Sequence, residues 1–76
     1  MNTTDILILA RKHLGSGSME SSARLCLEDA EKLVANGDFA DARRRALKSL
    51  AYSVGIFHPD YHAVQPFVRG RPLGLK

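Results

Sequence analysis

Apolar residues recur at helical spacing in three separate stretches of this 76-residue chain. Over residues 4–14, Ile6, Leu7, Leu9, Ala10, His13 and Leu14 form a stripe, with Ile8 on another side. That is more apolar surface than one face needs, so the first helix is predicted to be covered on more than one side. Over residues 19–35, Ala23, Cys26, Leu27, Ala30, Leu33 and Val34 follow the i, i+3, i+4, i+7 rule of an amphipathic helix. The small residues Ala23, Cys26 and Ala30 would let another helix approach closely. A third helix is predicted over 39–57, where Phe39, Ala42, Ala46, Leu47, Leu50, Val54 and Phe57 make the stripe and Ala51, Tyr52 and Ile56 widen it.

The polar residues between these stretches read as helix ends. Thr3 or Thr4 is predicted to cap the first helix and Ser18 the second. Asn36-Gly37-Asp38 stops the second helix and starts the third. Gly37 can adopt the left-handed conformation of a helix terminus, and Asp38 can cap the third helix, with Asp41 in the capping-box position. So short a link forces the second and third helices to lie antiparallel and in contact. Gly15-Ser16-Gly17-Ser18 reads as a flexible break. Gly55 weakens the last turn of the third helix and Pro59 prevents its continuation. Beyond it Asp60–Gln65 adds at most a helical turn, and Pro66, Gly70, Pro72 and Gly74 punctuate a segment without period. The expectation is an all-α fold: a three-helix domain over residues 1–58, a short helix plus an antiparallel hairpin, and a mostly irregular tail over 59–76.

A chain of this length buries little of its surface, and a single core of this size rarely contributes more than about 3–5 kcal/mol. Cys26 is the only cysteine, which excludes an internal disulfide, and it sits in an apolar stripe as a small hydrophobe. Self-association or docking on a partner is the remaining stabiliser, and a homodimer completing a helical bundle is expected. Charge supports that expectation. Residues 20–41 set Arg24 and Lys32 against Glu20, Glu28, Asp29, Glu31, Asp38 and Asp41, a net −4. Residues 42–76 set Arg43, Arg44, Arg45, Lys48, Arg69, Arg71 and Lys76 against Asp60, a net +6. The hairpin is therefore polarised, with one acidic and one basic helix. No stretch approaches the ~20 apolar residues that span a bilayer, and the start lacks the basic residues of a secretory signal, so a cytoplasmic protein without membrane contact is expected.

Leu33 and Val34, the turn Gly37-Asp38-Phe39 and Ala42 together resemble part of a tetratricopeptide motif, over about a quarter of the chain. The resemblance implies a helix-turn-helix interaction scaffold. Arg69-Gly70-Arg71-Pro72 is similar to the core of the AT-hook, in which glycine lets the backbone lie on the floor of an A/T-rich minor groove while two arginines reach along it.

The residues thus point to a small protein-interaction module, an adaptor or regulator, whose partner-binding residues are Ile8, Leu9, Tyr52, Ile56 and Tyr61. The alternative is a nucleic-acid-binding regulator that uses Arg43, Arg44, Lys48, Arg69 and Arg71 on phosphates or a minor groove. Against that, the three successive arginines point about 100° apart on a helix, and Arg45 can pair with Asp41. A third reading is a purely structural assembly subunit. His58, Asp60 and His62 lack a fourth ligand for a metal, and His13 is expected to edge the core. With no Ser-His-Asp set, phosphate loop or paired carboxylates, neither catalysis nor a cofactor is expected.

Overall fold

The computed structural model describes residues 2–15 and 17–69. They form four helices: α1 (Thr3–Lys12), α2 (Glu20–Ala35), α3 (Phe39–Val54) and α4 (Pro59–Arg69). The fold is all-α, without a strand among the described residues. Helix α3 is central: it packs most extensively on α2, and also on α1 and α4.

The α2–α3 hairpin closes on small side chains. Ala23, Cys26 and Ala30 of α2 and Ala42, Ala46, Ser49 and Ser53 of α3 are all buried. Where they meet, the Ser49 hydroxyl donates to the carbonyl oxygen of Ala23 at 2.7 Å. A side-chain bond to the backbone of the neighbouring helix requires close approach, and a buried hydroxyl without it would cost roughly 1–3 kcal/mol. Around this seam Ile6 and Ala10 of α1, Leu27 of α2, Leu47 and Leu50 of α3 and Val64 of α4 complete one core.

The turn is a Schellman motif. Gly37 has φ +85°, its N–H donates to Val34 O at 3.0 Å, and the Asp38 N–H donates to Leu33 O at 2.8 Å. These two bonds satisfy carbonyls that the end of α2 leaves open. The predicted caps differ from those observed. Asn2, rather than Thr3 or Thr4, caps α1 through a reciprocal bond pair with Asp5. Neither Met19 before α2 nor Asp38 before α3 makes a side-chain cap bond. Asp41, expected in a capping box, turns instead to the Arg44 guanidinium.

Two boundaries move by more than two residues. Helix α3 ends at Val54 rather than Phe57, because Gly55 takes φ +90° and breaks the helical path. Phe57 is consequently 87% exposed instead of closing the stripe, and Phe39 at the other end is half exposed. The expected irregular tail is a helix as far as Arg69. Pro59 stands at the first helical position, where a missing N–H costs nothing and its fixed φ suits the helix. Val64 is fully buried, and Tyr61 and Val68 pack against the core, which outweighs the donor lost at Pro66. Residues 70–76 of that predicted tail lie outside the described residues.

The segment between α1 and α2 is not a free linker at Gly17. A Cβ there would lie 2.7 Å from the backbone oxygen of Ser53 and 3.2 Å from that of Tyr52, at the end of α3. Backbone cannot yield as a flexible side chain would. Gly17→Ala is therefore expected to lower stability by about 1–3 kcal/mol in urea unfolding. Parental stability in that variant would mean that the loop is not held against α3.

Candidate functional site

Between α3 and α4 runs a groove of about 760 Å³. Leu47 and Ala51 of α3 and Val68 of α4 form its floor, with Ile56 from the connecting loop and Tyr61 from the first turns of α4. Arg44 and Lys48 line it from α3. These two also line a second, shallower depression on the α2 side, with Leu33, Asp41 and Arg45, so they stand on a ridge between the two.

The groove exists because Gly55 ends α3 early and α4 returns along it. Leu47 is almost fully buried, whereas Ile56 remains 52% exposed. The trough is thus apolar, open to solvent and bordered by exposed cations. The charges on its ridge differ in how far they are engaged. Arg44 is paired with Asp41. Lys48 and the neighbouring Arg45 are exposed, and no carboxylate lies within ion-pair reach of either among the described residues.

Of the five predicted partner-binding residues, the structure brings only Ile56 and Tyr61 together. Ile8 is 61% exposed on α1, outside the groove lining. Leu9, expected to lie outside the core, is half-buried against it, and Tyr61 also packs there on one side. Tyr52 is half-buried and does not line the groove. Sequence reasoning did not reach Leu47, Ala51 and Val68 as site residues, because the segment carrying Val68 reads as irregular. Tyr61, Val64 and Val68, at i, i+3 and i+7, are the signal that could have found it.

The predicted nucleic-acid residues are similarly divided. Arg44 and Lys48 share the ridge. Arg43 points elsewhere, its Nη1 donating to Thr3 Oγ1 at 2.8 Å and so tying α3 to α1. The expected Arg45–Asp41 pair is replaced by Arg44–Asp41. Arg69 closes α4, and Arg71 lies outside the described residues.

A polar cluster holds the start of α4. His13, at the end of α1, donates from Nε2 to Asp60 Oδ2 at 2.7 Å. The Asp60 N–H donates to His58 Nδ1 at 3.0 Å, so the His58 ring acts as a cap for α4. The rings of His13 and His58 meet edge to face with centroids 5.3 Å apart. His13 thus bonds a carboxylate besides edging the core. Asp60 also sits in the first turn of α4, where a negative charge suits the helix dipole. Among the described residues no group of three or more His, Cys, Asp or Glu is placed to hold a metal ion.

The fold defines an all-α protein, and no helix among the described residues is long and apolar enough to cross a membrane. No protein-family model matches the chain, and no curated protein or solved structure matches it.

The His13 hydrogen bond, followed by the nearby positive potential of His13, His58 and Lys12, holds the Asp60 carboxyl below its ordinary 3.8 against the opposing effect of burial. A carboxyl depressed in the folded state contributes stability that is complete above its unfolded value and lost as pH falls through the folded one. Asp60→Asn should therefore be less stable than the parent at pH 6, with the gap narrowing steadily below pH ~4. Urea midpoints across that range test it, and a gap unchanged by pH would contradict it.

Proposed function

We propose that the protein is a small protein-interaction module and that the α3/α4 groove is where an apolar helical segment of another chain docks. The observation that carries this reading is the combination in one trough of exposed Ile56, a tyrosine and two cations. Amphipathic helices bind such grooves by inserting apolar residues at i, i+3 and i+4, while residues at their edges meet the charges on the rim. Tyrosine and arginine are the residue types that most often dominate such interfaces. The partial resemblance of Leu33, Val34, Gly37-Asp38-Phe39 and Ala42 to a tetratricopeptide motif points the same way, since that family uses helical pairs as interaction scaffolds.

The nucleic-acid reading has less to support it. Arg43 is engaged by Thr3 and Arg44 by Asp41, which leaves Lys48 and Arg45 as the exposed cations of α3 without an acidic partner among the described residues. On α3 alone, two such charges make a small phosphate footprint, because affinity for a duplex grows with the number of phosphates neutralised; Gly70, Arg71 and Pro72 of the AT-hook-like segment lie outside the described residues. A purely structural assembly role would use the same groove without a regulatory consequence.

A photo-crosslinking side chain tests the site. Placed at Ala51 in the groove, it is expected to trap a specific protein in cells, and the adduct should disappear when Ile56→Asp is added. The same probe at exposed Ala40 should not trap that protein. Equal adducts from both positions, or none from Ala51, would remove the groove from the account.

A further inference from the structure

The outer surface of α2 carries what the groove lacks. Leu25 is 63% exposed, and Glu28 and Asp29, three and four residues on, lie on the same side of the helix. The other charges of α2 are partly spent within the molecule: Glu20 pairs with Arg24, and Glu31 with Arg11 of α1. Glu28 and Asp29 are exposed, and neither has a cation within ion-pair reach among the described residues. An apolar residue flanked by two such acids is the complement of an apolar trough flanked by Lys48 and by Arg44, whose exposed pair with Asp41 would exchange for the new contact.

We infer that the helical segment seated in the α3/α4 groove is α2 of a second copy of this chain. This rests on the reading of the groove as a docking site and names its occupant. Leu25 of one protomer enters the trough beside Ile56 and Tyr61 of its partner, and Glu28 and Asp29 meet the cationic ridge. Leu25 lies two residues from buried Ala23 and Leu27, and Ala51 two residues from buried Ser49 and Ser53, so helix and groove face opposite sides of the hairpin and the contact joins copies head to tail. Like-charged ridges cannot face one another in this arrangement, which selects α2 against α3 over α3 against α3.

Sedimentation velocity of the full chain over a range of concentration and salt gives the test. The parent should self-associate as concentration rises, through head-to-tail dimers to longer oligomers, and less so with added salt. Leu25→Asp should be monomeric, with an unchanged helical circular dichroism spectrum because Leu25 is exposed. Glu28→Lys/Asp29→Lys in one chain and Arg44→Glu/Lys48→Glu in another should each weaken association by about tenfold or more, since each turns attraction into repulsion at two charges. An equimolar mixture of those two chains should recover parental association, because each reversed helix then meets a reversed ridge and each native helix a native one. A monomeric parent, association of Leu25→Asp as tight as the parent's, or a mixture that fails to recover would overturn the inference. If the parent is monomeric while the probe at Ala51 still traps another protein, the occupant is wrong and the docking site stands. If the parent self-associates without sensitivity to these changes and Ala51 traps nothing, both are wrong.

Discussion

The close approach of α2 to α3 is the constraint on which the other contacts depend. Alanine, cysteine and serine on the facing sides leave no bulk to hold the helices apart, and Ser49 reaches the Ala23 carbonyl across the gap. Small side chains contribute little apolar area each, at roughly 25 cal/mol for every Å² removed from water. The seam gains from backbone proximity and from the short Schellman turn, which holds the helices together with little loop entropy to offset. Only with that hairpin formed do Leu27, Leu47 and Leu50 present a common surface on which Ile6 and Ala10 of α1 and Val64 of α4 can be buried.

The remaining elements are fastened to that base. Arg43 bonding Thr3 and Arg11 pairing with Glu31 tie α1 to the hairpin, while His13 and Asp60 join the end of α1 to the start of α4. Gly55 then decides the surface: by ending α3 at Val54 it sends Ile56 and Phe57 into a loop and brings α4 back beside α3. The groove is the space this return leaves over Leu47 and Ala51. Its chemistry therefore comes from the basic side of α3, and its shape from a helix that a proline starts.

Much of this is legible in the residues. The three apolar stripes mark α1, α2 and α3, and Gly37 between Asn36 and Asp38 marks the turn, because helical period and left-handed glycine are local properties. The caps are not legible, since a side chain chooses among several nearby partners: Asp41 prefers a guanidinium to the backbone of Asp38, and Asn2 wins over Thr3 and Thr4. Helix α4 escapes notice because Pro59 reads as a stop when it is equally a start, and because Pro66 interrupts a stripe that Tyr61, Val64 and Val68 nonetheless complete. Half of the groove vanishes with it. The His13–Asp60 bond, 47 residues apart in the chain, has no sequence signal at all.

Amide hydrogen exchange tests the dependence on the seam most directly, because it orders the elements by the free energy needed to open them. The amides of Leu27 and Ala30 in α2 and of Ala46 and Leu50 in α3 should exchange only through global unfolding, as one group, while those of Val64 and Val68 in α4 exchange through a smaller opening. Protection in α4 equal to or above that in α2 and α3 would contradict the account, since the groove wall would then be holding the hairpin rather than resting on it.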